Sequence, residues 1–183
     1  LFLCKAIKGK VMKSVTEQLA NYACYHRDKK NILTHFVGIP LIVVALITLL
    51  SKPQFEVFGT TLSPAVIVVV AAVTYYLLLD YALGVLMALL LAATIVLGSW
   101  FAAMSTGMWL TWGIGMFVVG WVFQFVGHYF EGRKPAFVDD IMGLAIGPLF
   151  VVAEALFMLG LRKKLYEDVE TLVAVQLPKM EKD

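Results

Sequence analysis

Long apolar runs separated by short polar interruptions dominate the chain. Apolar residues fill 36–50, 62–79, 82–104 and 108–126, and a fifth apolar stretch covers 141–160. A bilayer core about 30 Å thick takes roughly 20 residues of helix, and the first four runs approach or reach that length. They are separated by "SKPQFE", "DY" and "STG", and "EGRKPAFVDD" follows the fourth, all of them turn-forming or charged. None of the runs alternates with period two as a barrel strand would, and backbone in lipid must satisfy its own hydrogen bonds. The pattern therefore predicts an all-α fold: a polytopic integral membrane helical bundle of about four transmembrane helices plus a fifth apolar segment.

That fifth segment carries Gly147-Pro148 at its middle. Proline removes a helical N–H and crowds the preceding turn, which predicts either a kink or a re-entrant hairpin broken at Gly-Pro. The hairpin is favoured, because a simple crossing would carry "LRKK" at 161–164 to the side that is otherwise poor in positive charge. A helix over about 10–25 is expected before the first run. The polar tail 161–183 includes "LYEDVETLVAVQL", amphipathic enough to lie along a membrane surface. With no internal repeat, 1–183 reads as a single membrane domain.

Composition strengthens this picture: of 183 residues, 61% are hydrophobic and 15% charged, and the mean hydropathy is +0.85. A net charge of +2, without a basic face interleaved with aromatics, argues against nucleic acid as a partner. Cys4 and Cys24 have neither CxxC spacing nor a partner cluster, which speaks against a disulfide framework or a structural zinc site. "LFLC" is too short for a secretory apolar region, and no cleavable signal is expected. If the spans alternate, one side receives Lys5, Lys8, Lys10, Lys13, Arg27, Lys29, Lys30, Arg133 and Lys134, and the opposite loops receive Lys52. The positive-inside rule makes the first side cytoplasmic, leaving open a bacterial inner membrane or an endoplasmic reticulum. Oligomeric state is not legible.

The same alternation puts His26, His35 and His128, all the histidines of the chain, at the cytoplasmic ends of the first and fourth spans. Imidazole is the commonest protein ligand for transition metals, although a histidine at a membrane interface also snorkels or caps helices. His26 and His35 are nine residues apart and would face opposite ways on one helix. They can converge only if "RDKKN" breaks it, with Asn31 as the expected N-cap of a helix from Ile32.

"GHYFEGRKPA" offers His128 and Glu131 at i and i+3, and this spacing assigns Glu131 to the metal site. Gln124, one turn before His128, and Asn31 are candidates to hydrogen-bond the ligands. Asp80 is a rival carboxylate on the same side. Glu154 is costly within an apolar run and expects a partner such as Arg133 or the site itself. Arg133, Lys134 and Arg27 are candidates to neutralise an anionic substrate head, with solvated membrane anchoring as the alternative. The aromatic run from Trp109 to Phe125 reads as bilayer interface and packing.

Taken together, "YHRDKKNILTHFVGIP", "QFVGHYFEGRKPA" and "GPLFVVAE" resemble the family of small membrane proteins typified by the fungal 2-hydroxy fatty acid dioxygenase of phytosphingosine breakdown, over about residues 22–157. The resemblance implies an iron(II)-dependent enzyme that shortens a long-chain 2-hydroxy fatty acid by one carbon with O2 as co-substrate, a fatty acid alpha-oxidation among membrane lipid. It implies catalytic metal-site roles for His26, His35 and His128. Two oxygens of the substrate, from carboxylate and 2-hydroxyl, would be held at such a site. Competing readings are a membrane transporter or lipid-binding scaffold with a polar path of histidines and Glu154, and haem ligation by two histidines. A zinc hydrolase lacks its HExxH.

Overall fold

The structure is a computed structural model and describes residues 13–133, 135 and 142–180. The first helix, α1 (Val15–Ala23), begins at a capping box. The Ser14 hydroxyl accepts from Glu17 N at 3.2 Å and the Glu17 carboxylate accepts from Ser14 N at 2.7 Å, satisfying two donors that a helix start leaves open. Residues 10–12 of the expected helix lie outside the described residues.

The second helix, α2 (Lys29–Ser51), starts earlier than the sequence predicts. Its N-cap is Asp28, whose carboxylate accepts from Lys30 N at 2.7 Å and Asn31 N at 3.3 Å. Asn31 is thus inside the helix rather than at its cap. At about 1.5 Å per residue, 23 residues give α2 a length of roughly 34 Å. A two-residue turn with positive φ at Phe58 (49°) and Gly59 (76°) then closes an antiparallel hairpin of β1 (Phe55–Val57) and β2 (Thr60–Leu62), the backbone that tight hairpins require. The sequence pattern gives no warning of strands this short.

Three further apolar helices follow: α3 (Pro64–Leu79), α4 (Tyr81–Ala102) and α5 (Thr106–Glu131). Among the described residues α2, α4 and α5 are long and apolar enough to cross a membrane, and α3 is a shorter apolar helix. Large apolar side chains such as Leu78, Leu89 and Val96 point outward and exposed. That is the surface of an integral membrane protein, whose solvent is lipid. Asp80 makes the α3–α4 corner: its carboxylate caps Leu83 N at 2.9 Å and pairs with the Arg162 guanidinium at 3.1 and 2.5 Å.

The helix α6 (Met142–Met158) runs unbroken through Gly147-Pro148, so the break expected there is not found. Proline forfeits only one helical hydrogen bond, and packing holds this stretch in place. A Cβ on Gly147 would sit 3.1 Å from Tyr22 Oη and 3.2 Å from Ile39 Cδ1. The bend falls instead between α6 and α7 (Lys163–Met180), which meet at 117°. There Leu161 N donates to Leu156 O at 2.8 Å and Gly160 N to Phe157 O at 2.9 Å, with Gly160 at φ 72°, the left-handed arrangement that terminates helices. The tail folds back as α7, burying Leu165, Val169 and Val173 at helical spacing in the core that α1 shares.

The most extensive helix–helix contact is the antiparallel seam of α2 with α5. Gly113, Gly120 and Gly127 recur along α5 every seven residues and face Leu49, Gly38 with Ile42, and Asn31 with Thr34 in turn. A Cβ on Gly120 would lie 2.9 Å from the Gly38 carbonyl, and one on Gly38 would lie 2.8 Å from the Gly120 carbonyl. Small residues let helices approach this closely where no hydrophobic effect drives them together. The seam fixes which α5 residue stands opposite which α2 residue, and its last step delivers His128 to His35.

Candidate metal centre

Three elements each contribute one imidazole. His26 lies in the turn after α1, His35 on the second turn of α2 and His128 on the last turn of α5. The turn closes with Tyr25 N donating to Tyr22 O and His26 N to Ala23 O, and this break brings His26 and His35 together although nine residues separate them. Relative exposures are 1%, 1% and 8% for His26, His35 and His128, so bulk water does not solvate them. A ring nitrogen of each lies within 4.8 Å of the other two.

Backbone carbonyls set the tautomers. His26 Nδ1 is 2.7 Å from Tyr22 O, and His35 Nδ1 is 2.9 Å from Asn31 O. A carbonyl oxygen only accepts, so both Nδ1 atoms carry the proton and both Nε2 atoms present lone pairs. Those two Nε2 atoms are 3.0 Å apart. Two lone pairs at that distance repel unless they share a cation, and imidazole–zinc bonds of about 2.0–2.1 Å show that one ion can reach both. His128 adds a buried Nδ1 that has no hydrogen-bond partner among the described residues. Three neutral imidazoles, two of them oriented through their far nitrogens, form a donor set that suits a divalent transition metal.

Burial, with His35 and His128 close by, holds His26 well below the usual imidazole range against the opposing pull of the Tyr22 carbonyl. It is neutral at physiological pH, as a ligand must be. The Tyr22 ring stacks on His26 at 4.1 Å and 3°, and burial pushes its phenol pKa up, keeping it protonated.

Glu131 serves the turn directly. Its carboxylate accepts from Arg27 N at 2.9 and 3.0 Å, from Asp28 N at 2.8 Å and from Asn31 Nδ2 at 3.0 Å. It thus ties the end of α5 to the start of α2, where the helix dipole favours an anion. The convergent group of ligand atoms contains the three histidines alone among the described residues. Asn31, fully buried, holds His35 through its backbone carbonyl and Glu131 through its side chain, leaving Oδ1 without a partner among the described residues.

Gln124 is buried one turn before His128, and its Nε2 has no partner among the described residues, a donor whose desolvation costs about 1–3 kcal/mol when unmet. Arg27 forms an ion pair with Glu170 at 2.8 and 3.1 Å, and Arg133 Nη1 donates to Cys24 O at 2.9 Å. Asp80 belongs to the α3–α4 corner with Arg162. Glu154, on α6, lies within electrostatic reach of Glu170 and Arg27. Lys134 lies outside the described residues.

A cavity of about 300 Å³ between α2, α5 and α6 is lined at one end by Tyr22, Gln124 and His128 and continues past Trp121 to Phe117 and Leu46. A second groove of about 330 Å³, between α2, α4 and α6, touches none of the histidines. Sequence reasoning passed over the carbonyls of Tyr22 and Asn31, which no motif marks. It also passed over the glycines of the seam, although "GIGMFVVGWVFQFVGH" displays their spacing of seven.

The family described as "2-hydroxy-palmitic acid dioxygenase Mpo1-like" matches residues 12–159, which include all three histidines. The 2-hydroxy-palmitic acid dioxygenase MPO1 of Saccharomyces cerevisiae is 32% identical over 166 residues, covering 88% of this chain and 91% of the relative. No solved structure matches. With most of its length aligned and a buried group of imidazoles fit to hold a metal, the chain belongs to the Mpo1-like 2-hydroxy-palmitic acid dioxygenase family.

Proposed function

We propose that this protein is an iron(II)-dependent dioxygenase that cleaves long-chain 2-hydroxy fatty acids between C1 and C2, yielding an acid one carbon shorter. One 2-hydroxy acid and one O2 balance to the shortened acid, carbon dioxide and water. The observation that carries the reading is the convergence of three buried imidazoles, two with Nδ1 committed to backbone carbonyls and Nε2 atoms 3.0 Å apart. The family membership supplies the substrate class.

His26, His35 and His128 would hold the metal, which when bound supplies the redox chemistry that triplet O2 requires. The protein's own residues do the rest. The Tyr22 and Asn31 carbonyls keep two rings in the ligating tautomer, and Glu131 fixes the turn that carries His26. The buried surroundings exclude bulk water from the reacting head. Arg133, whose guanidinium donates to Cys24 O two residues before His26, and Arg27 are the cations we assign to the substrate carboxylate. The site faces the cytoplasm in this reading. Lys13, Arg27, Lys29, Lys30 and Arg133 gather at the histidine end, whereas Lys52 at the opposite end donates to the carbonyls of Ala102 and Met104.

The test is mass spectrometry of products after purified protein, loaded anaerobically with Fe(II), receives 2-hydroxypalmitic acid and then O2. A one-carbon-shorter acid from the parent and none from His128→Ala is the expected result. No such product from folded, iron-loaded parent would sink the proposal.

A further inference from the structure

Gln124 is a buried amide whose Nε2 finds no partner among the described residues, and it stands one helical turn from His128 and on the wall of a cavity that His128 also lines. Its Nε2 packs against the bare Cα of Gly38, where a Cβ would come within 2.3 Å. The position is therefore kept open for an amide by a glycine on the facing helix. The cavity itself is polar at one end only. Buried Tyr22, Gln124 and His128 line that end, and beyond them the described walls include Ile42, Phe117 and the exposed Leu46.

From His128 to Phe117 along α5, and from His35 to Leu46 along α2, the separation is eleven residues, about 16 Å of helix in each case. The two walls thus run side by side away from the histidines. The groove between α2, α4 and α6 has a similar volume but none of the three histidines lines it. A ligand suited to the first cavity has hydrogen-bond acceptors at its head and an unbranched apolar tail.

Resting on the 2-hydroxy acid reading above, we propose that the cavity between α2, α5 and α6 is the acyl channel, that Gln124 Nε2 donates to an oxygen of the substrate head at its buried end, and that Leu46 and Phe117 line the other end, where the tail lies. The amide binds the head beside the metal centre without ligating the metal. Gly38 is small so that the amide can lie flat in the seam.

The test uses the full chain in nanodiscs and 2-hydroxypalmitic acid carrying a diazirine at its tail end, photolysed without O2 and mapped by peptide mass spectrometry. Crosslinks at Leu46 or Phe117 are expected. Gln124→Leu, and Gln124→Glu, which keeps the shape but replaces the donor, should raise KM at least tenfold with kcat changed less and metal content equal to the parent's. Leu46→Trp, remote from the histidines, should shift kcat/KM at least tenfold toward shorter 2-hydroxy acids. Crosslinks on Leu90 or Leu97 of the other groove, or a parental KM in both Gln124 variants, would overturn the inference while product formation upheld the dioxygenase reading. A parent that crosslinks at Leu46 or Phe117 but forms no shortened acid would keep the channel and overturn the chemistry.

Discussion

Replacing Gly127 by alanine should disable the metal centre without touching a ligand. The added Cβ would lie 2.2 Å from Thr34 Oγ1, 2.4 Å from Asn31 Oδ1 and 3.3 Å from His35 Nδ1. Two of these contacts are about an ångström inside ordinary packing distance, and both partners are fixed. Thr34 Oγ1 donates to Asn31 O at 2.7 Å, and the Asn31 amide is held by Glu131. The helices must therefore part, and His128, the next residue on α5, moves away from His35. Overpacking a close contact costs about 1–3 kcal/mol. Assigned to the metal-loaded arrangement at 1.4 kcal/mol per tenfold, that is about a 5- to 150-fold loss of affinity. Gly115→Ala is the matched control, since a Cβ there meets nothing within 4 Å. Anaerobic Co(II) titration followed by its d–d absorption measures both variants. Parental affinity in Gly127→Ala, or an equal loss in Gly115→Ala, would show that the seam does not position the ligands.

Three more perturbations separate the parts of the site. Glu131→Ala strips the acceptor from Arg27 N, Asp28 N and Asn31 Nδ2 and should lower stability by about 2–3 kcal/mol together with metal affinity, read by thermal unfolding and metal content; unchanged values for both would remove Glu131 from the turn's support. Arg162→Ala breaks a partly exposed pair with Asp80 and should cost about 1 kcal/mol or less with metal content intact, so metal loss there would contradict the separation of Asp80 from the centre. Because burial depresses the pKa of His26 in the folded chain, the unfolded chain binds more protons below the ordinary value of about 6.5. Its stabilising contribution is thus complete above that pH and lost on acidification, so melting temperature and bound metal should both fall between pH 7.5 and 5, and a flat profile would argue against a buried neutral imidazole.

The membrane-like helices were legible because lipid imposes length and composition together. The run predicted over 82–104 appears as Tyr81–Ala102, and that over 108–126 lies inside Thr106–Glu131. What escaped depends on groups distant in sequence. Both Asp28 and Asn31 are good helix caps, and nothing local decides between them. Asn31 is drawn inside α2 by Glu131, a hundred residues later, which takes its side-chain amide. Pro148 looks like a break in isolation, but the packing of Gly147 against Tyr22 and Ile39 keeps α6 continuous. The spacing of His128 and Glu131 drew attention to this turn, while the donors that occupy the carboxylate, the backbone N–H groups of Arg27 and Asp28 and the side-chain amide of Asn31, lie a hundred residues away and no local pattern reveals them.

The site's geometry is therefore a consequence of register along one seam. His35 and His128 occupy antiparallel helices whose alignment is set by Gly113, Gly120 and Gly127 against α2. Sliding α5 by a single turn would move His128 about 5.4 Å, more than the 4.8 Å within which all three ligand nitrogens now lie. Apolar side chains in lipid gain little by choosing one register over another, since the tails are as apolar as they are. Close backbone approach at the glycines, and the hydrogen bonds of Glu131 at the seam's end, make the choice. The polar clasp is also where His26 joins, so one set of contacts fixes the helix register and closes the turn. An imidazole from outside the seam can complete the centre only when that clasp is formed, which couples the folding of the α1–α2 turn to the capacity to hold a metal.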